Sequence, residues 1–234
     1  NNIYEFGFLD SSIFGKSIPI LSMAGDQQSS SIGQFCINAG DVKATFGTGC
    51  FILMNSGTKI LKSQNKLLST IAFKIDNDIK YALEGSIFIS GAAVQWLRDN
   101  LKIIKNAEET QELASSLKDN NGVYFVPAFT GLGAPHWNPN SKGLIYGLSR
   151  SSGIAEITRA VLESVAYQCT DLLDAMRSDG QTPKVIRVDG GMSTNDWLMQ
   201  FLSNISETPI EKTTEVKNTR SNFFVKFNII PPIN

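Results

Sequence analysis

Apolar residues fall into short β-like runs in the first third of the chain and into helical spacing further on. Ile18 to Met23 is a brief apolar run broken by Pro19; it predicts a short strand, followed by a helix from about Gln28 to Asn38 that stops near Gly40. Val42 to Thr45 and Cys50 to Met54 flank a Gly-Thr-Gly turn and predict a hairpin, and Leu67 to Ile75 with Ile79 to Leu83 predict a second around Asp76-Asn77-Asp78. Ser86 to Leu101 carries Ile87, Val94, Trp96 and Leu97 at helical spacing, so Gly91 falls mid-helix, where glycine costs about 1 kcal/mol against alanine. That cost suits close helix packing or the approach of a ligand. Asn106 opens a further helix that ends near Asn120-Asn121-Gly122. Val123 to Pro127 reads as a strand leading into a Gly/Pro-rich loop from Phe129 to Pro139. Ile157, Val161, Leu162, Val165, Ala166, Leu172 and Leu173 place one apolar stripe on a long packing helix from Ile154 to Met176. Lys184 to Val188 is a strand that ends in Asp189-Gly190-Gly191, after which Ser193-Thr194-Asn195-Asp196 opens a helix carrying Trp197, Leu198, Phe201 and Leu202.

Composition narrows the class. The 234 residues are 42% hydrophobic and 18% charged, enough for one large globular domain with a real core. A net charge of -1 gives no basic excess for nucleic acid and no acidic tail. No apolar run approaches the length of a membrane span, and the N-terminus carries no charged-then-apolar signal pattern. Cys36, Cys50 and Cys169 are odd in number and widely spaced, which points to a reducing compartment, the cytoplasm, rather than to a disulfide framework. His136 is the only histidine, so a His-rich metal site is excluded and a loop role is expected for it.

Three glycine-marked stretches carry candidate chemistry. In Thr45-Phe46-Gly47-Thr48-Gly49-Cys50-Phe51 the glycines permit a sharp turn whose N–H groups and Thr48 hydroxyl can meet a phosphate, although an ordinary hairpin turn has the same composition. Asp26, in Ala24-Gly25-Asp26-Gln27-Gln28, sits at a strand-to-helix junction, either as a helix cap or as a carboxylate that accepts a proton from a substrate hydroxyl. Val188-Asp189-Gly190-Gly191 is strand, glycine turn, helix, where oriented N–H groups suit a polar or anionic ligand. No Gly-x-Gly-x-x-Gly follows a strand, so a Rossmann site lacks support.

Taken in order and spacing, Ala24 to Gln28, Thr45 to Asn55, Tyr81 to Gly85, Gln95 to Asp99, Val126 to Ala134 and Arg187 to Gly191 resemble the C-terminal domain of the FGGY carbohydrate kinase family, its glycerol kinases in particular. The resemblance runs from about Ile3 to Thr219. It implies an α/β fold, the actin-like ATPase (ribonuclease H-like) C-terminal domain, with a mixed sheet flanked by helices. It divides the chain into a remnant of a preceding domain and linker over 1–17, the kinase C-terminal domain over 18–219, and a divergent tail over 220–234. The implied reaction is ATP-dependent phosphorylation of glycerol to sn-glycerol 3-phosphate, with Mg²⁺ shared among the phosphates. By resemblance Asp26 is the catalytic base, Gln27 contacts glycerol and Phe51 packs on its carbons. Thr48 is similar to a phosphate-binding residue, Gly91 and Gln95 to helix positions beside the nucleotide, and Gly191 and Asn195 to adenosine-side contacts. No protein metal ligands are implied.

Departures from the family shape the expectation as much. The family's earlier domain, which supplies another phosphate loop, Mg²⁺-side acids and the side chains that clamp glycerol, has no counterpart in these residues, so the isolated chain is expected to be inactive. Where the family continues with a small-residue helix, residues 220–234 form an aromatic, β-prone run of the kind a shifted reading frame produces. A fragment or decaying gene product is the corresponding expectation, and Phe223, Phe224, Val225, Phe227, Ile229 and Ile230 would favour aggregation or docking to a partner. Three readings follow: a glycerol kinase half completed by a separate N-terminal domain, a nucleotide-binding module without transfer, and a nonfunctional remnant; a homo-oligomer is the other expected partner. Other sugar or polyol kinases of the same fold are the nearest alternatives within the enzyme class.

Overall fold

The computed structural model describes residues 6–21, 23–75, 77–219 and 222–233, with side chains placed outside 214–226. Its centre is a seven-stranded mixed sheet. In chain order its strands are β3 (Asp41–Phe46), β4 (Cys50–Gly57), β5 (Leu68–Ile75), β6 (Asp78–Ile87), β9 (Val185–Asp189), β10 (Ile210–Thr219) and β11 (Asn222–Ile230). Their spatial order is β11-β10-β9-β3-β4-β6-β5. β9 runs parallel to both β3 and β10, and the other neighbours are antiparallel. Two small hairpins stand apart: β1 (Gly7–Leu9) with β2 (Ile18–Ile20), and β7 (Tyr124–Val126) with β8 (Leu144–Tyr146).

Alternation along the central strands explains what lies on each face. Val42, Ala44, Phe46, Ile52, Met54, Ile186 and Val188 project into one core, closed by α3 (Gly91–Asp99), α5 (Ile154–Ser178) and α6 (Asp196–Ser206). Helix α5 is the long packing helix its apolar stripe calls for, with Val161, Leu162, Val165, Ala166, Cys169 and Leu172 fully buried. The remaining helices are α1 (Ser11–Phe14), α2 (Asp26–Gly33) and α4 (Glu109–Ser115). On the opposite face of β3 and β9 the alternating positions are polar: Asp41, Lys43, Thr45, Arg187 and Asp189. Helix α2 covers them, hydrogen-bonding to Lys43 through Gln27 and to Asp189 through Ser30.

Both expected hairpins form, the second with Asp76 outside the described residues. Several boundaries differ from the pattern: the helix expected from Asn106 to near Asn120 is only Glu109–Ser115, with the Asn106 side chain ahead of it accepting from Glu109 N–H at 3.1 Å. Helix α2 ends at Gly33, because Phe35 turns into the left-handed region at φ 60 and lets Cys36 enter the core. The segment from Ser86 starts as strand, since Ser86 pairs with Phe51 and Ile87 with Cys50; Gly91 therefore opens α3 and bears no mid-helix cost. The Gly/Pro-rich loop is followed by a strand, β8, that its composition does not announce.

The divergent tail also has a place. Strand β11 pairs along β10 at the sheet edge. Of the apolar tail residues, Phe227 lies 4.9 Å beneath the Arg187 guanidinium, Ile230 packs on the core and Ile229 is exposed; the side chains of Phe223, Phe224 and Val225 lie outside the described ones. Cys36, Cys50 and Cys169 are all free and buried. His136 sits in the loop after β7, its Nε2 3.1 Å from Asp171 Oδ2 with both groups half exposed. No helix among the described residues is long and apolar enough to cross a membrane.

Candidate active site

The turn between β3 and β4 is built against the start of α3. Gly47 accepts a hydrogen bond from the Gly91 N–H at 2.9 Å, and the Thr48 carbonyl accepts from Ser90 N–H at 2.9 Å and Ala92 N–H at 3.0 Å. These bonds occupy the first donors of α3, which a helix otherwise leaves without partners. Gly49 is required by approach rather than by dihedral angle: a Cβ there would collide with the Ile87 carbonyl on the neighbouring strand. The turn is thereby fixed with Thr48 facing a cavity.

Opposite the turn, β9 ends at Asp189, and Gly190, at φ 89, redirects the chain into a single 3₁₀ turn over Gly191–Thr194. Asn195 caps α6, accepting from Leu198 N–H at 2.9 Å while its amide donates to Thr110 Oγ1 at 3.2 Å. Gln111 Oε1 accepts from Asp196 N–H at 2.7 Å, so α4 and the start of α6 form one wall. The cavity enclosed by these pieces has a volume of about 570 Å³. Thr48, Gly91, Gln95, Gly191 and Asn195, far apart in sequence, all line it. Arg98, Thr110, Gln111 and Met192 line it too. Arg98 lies on α3 three residues after Gln95 and Met192 follows the Gly190-Gly191 turn, whereas Thr110 and Gln111 carry no glycine or motif signal and are brought in by the packing of α4 against α6.

The substrate-side candidates form a second group. Asp26 is the first residue of α2 and Gly25 occupies the cap position, so Asp26 is not the N-cap. Its carboxylate accepts from Gln27 N–H at 2.8 Å and from the Gln27 side-chain amide at 3.3 Å, in the first turn where a negative charge is favoured by the helix dipole. Phe51, the second residue of β4, remains 41% exposed although it lies on a central strand. A ring left open there is available to pack on a small ligand.

Between these residues lies Lys43, which pattern reading missed because a polar residue alternating with Val42 and Ala44 looks solvated. It is fully buried. Its Nζ donates to Gln27 Oε1, to Thr45 Oγ1 at 3.1 Å and to the Phe51 carbonyl at 3.5 Å. Burial pulls the ammonium pKa down, and the nearby Asp189 charge opposes that shift. Asp189 Oδ2 in turn accepts from Ser30 Oγ at 2.8 Å and Gln34 Nε2 at 3.2 Å, while its Oδ1 is buried with no partner. Among the described residues no cluster of three His, Cys, Asp or Glu side chains could cage a metal ion.

The profile of the FGGY family of carbohydrate kinases, C-terminal domain, matches residues 42–219, which include both glycine turns and every cavity-lining candidate. The chain belongs to the FGGY carbohydrate kinases. Among curated relatives, glycerol kinase 1 of Pseudomonas aeruginosa is 53% identical over 92% of this chain, and glycerol kinase of Coxiella burnetii is 49% identical over 94%. The chain spans 44% of the length of each. The crystal structure of Plasmodium falciparum glycerol kinase with ADP superposes with a TM-score of 0.84 at 41% identity, covering 92% of this chain and 43% of that one. Xylulose kinase from Rhodospirillum rubrum superposes at 0.76 over 91% of this chain and 43% of its own, but at 22% identity it speaks to the fold alone. The FGGY fold is thus an α/β, actin-like domain with a mixed sheet flanked by helices, as the sequence leads one to expect.

Proposed function

We propose that this chain is the C-terminal half of an ATP-dependent glycerol kinase, spanning residues 18–219, which forms sn-glycerol 3-phosphate once a domain supplying the facing wall of the cleft joins it. The observation that carries this reading is the convergence of Thr48, Gly91, Gln95, Gly191 and Asn195 on one cavity, in a chain 41% identical to a glycerol kinase solved with ADP. In this reading the cavity takes the nucleoside and its phosphates. Asp26 removes the proton from the glycerol hydroxyl that attacks the γ-phosphate, Gln27 orients the triol and the open Phe51 ring packs on its carbons.

In this reading Mg²⁺ would come with the nucleotide and would supply neutralisation of phosphate charge. What these residues contribute is position: a turn fixed on α3, a carboxylate at a helix start and an open apolar ring on a central strand. The test follows glycerol phosphate formation by phosphorus NMR in mixtures of this chain and the N-terminal domain of a glycerol kinase supplied with glycerol, ATP and Mg²⁺. sn-Glycerol 3-phosphate forming only in the mixture supports the assignment; no product at any ratio contradicts it.

A second reading rests on the cavity itself, in which Thr48, Gly91, Gln95, Gly191 and Asn195 of this chain converge. On that reading the isolated chain binds ADP without transferring phosphate. ADP binding by the chain alone in calorimetry, together with no product in the mixture, supports this second reading; product in the mixture contradicts it.

A further inference from the structure

We infer that Lys43 is a positioning residue that sets the orientation of Asp26 by dictating which end of the Gln27 carboxamide faces it. This deepens the glycerol kinase reading and rests on the role that reading gives Asp26.

A fully buried ammonium is costly unless surrounded by acceptors, and a cation serving stability alone is often replaced by an apolar residue without loss. The Lys43 Nζ has no carboxylate within ion-pair distance among the described contacts; its partners are the neutral oxygens of Gln27, Thr45 and Phe51. An ammonium group can only donate. It therefore admits the carbonyl oxygen of Gln27 and rejects the NH₂ end, so the amide nitrogen turns outward, where it donates to Asp26 Oδ2 at 3.3 Å. Without that donor the carboxamide is free to flip, presenting an oxygen to a carboxylate and repelling it.

The same Nζ also reaches the carbonyl of Phe51, so one buried group ties together all three substrate-side candidates. Asp189, on the neighbouring parallel strand and held by Ser30 and Gln34 of the α2 segment, supplies the nearby negative charge that partly offsets the downward pull of burial on the Lys43 pKa.

The test is a double-mutant cycle on the full chain, read by carbon and nitrogen NMR. Lys43→Met is expected to shift the Asp26 carboxylate carbon and both Gln27 amide proton signals, with the Val42 and Ala44 methyl signals unmoved. In a Gln27→Ala background the same substitution is expected to leave the Asp26 carbon where Gln27→Ala alone puts it. An equal Asp26 shift in both backgrounds, or none in either, overturns the inference. Should Lys43→Met fail to fold, Gln27→Ala decides alone: the Lys43 Nζ resonance must move, and an unmoved one overturns the inference.

In the two-piece enzyme, Lys43→Met is expected to lower kcat about ten- to a hundredfold with KM for ATP unchanged. A proportional fall in both kcat and Tm, without an Asp26 shift, marks a merely structural lysine. If the unmodified two-piece mixture forms no product, the kinase reading falls, while the NMR cycle still decides whether Lys43 orients Asp26.

Discussion

Phe51 tests the substrate assignment one side chain at a time. Its ring is open although its strand is central, and its backbone carbonyl is tied to Lys43. Phe51→Ala is expected to raise KM for glycerol about tenfold or more in the two-piece enzyme while changing ADP affinity less than twofold, because the ring lies outside the cavity lining. Equal losses for both ligands would remove Phe51 from the glycerol site. Cys36 makes a different residue-scale prediction. Burial pushes its thiol up to about 12 from 9.0, with Arg187 partly opposing the shift. Between those values the unfolded chain releases a proton that the folded chain retains, so stability is intact below pH 9.0 and falls as pH rises towards 12, by on the order of 4 kcal/mol at most. Urea denaturation across that range should show the decline, and Cys36→Ala should reduce it, the remainder coming from Cys169 and Tyr167, which burial and neighbouring groups push up as well.

At the scale of elements, the join between α4, α5 and α6 decides whether the cavity keeps its shape. Arg159 donates to Glu163 at 2.8 Å with both side chains buried, and its guanidinium sits 5.1 Å over the Trp197 ring. Glu163 also accepts from Asn120 at 2.9 Å and from the Tyr167 hydroxyl at 3.2 Å. Removing one member of a buried pair strands the other, so Arg159→Ala is expected to cost about 3 kcal/mol or more in urea denaturation. Arg159→Met with Glu163→Leu should recover more than half of that loss. A cost below about 1 kcal/mol for Arg159→Ala would show the pair to be solvated.

Elements also show where the sequence is legible. Periodicity finds β3, β4, β9 and α5 because each shows an apolar face to one core, and the glycine-marked turns stand out because close backbone approach demands them. The same pattern misleads on Lys43 and Asp189. Their polar side of the sheet is covered by a helix that docks through hydrogen bonds instead of apolar contacts, and alternation alone cannot tell that arrangement from a wet surface. Thr110 and Gln111 are invisible for another reason: their place on the cavity wall arises from helices meeting across long sequence separations.

For the molecule as a whole, the sheet and its helices give a cavity on one side of the Gly-Thr-Gly turn and an acidic helix start on the other. The chain spans 44% of its curated relatives' length, and phosphoryl transfer needs both partners held in line. The apolar residues Phe6, Phe8, Phe14 and Met23, all exposed on the segments leading into α2, lie on the chain's approach to Asp26. Such a surface suits coverage by the facing domain in the proposed enzyme. The most direct measurement is the rate of glycerol-dependent ADP formation by the two-piece mixture, compared between the natural chain and Asp26→Asn, with ADP affinity measured on both. A fall of about a hundredfold or more at unchanged ADP affinity is the predicted result. Turnover that survives Asp26→Asn would contradict the assignment of Asp26 as the base.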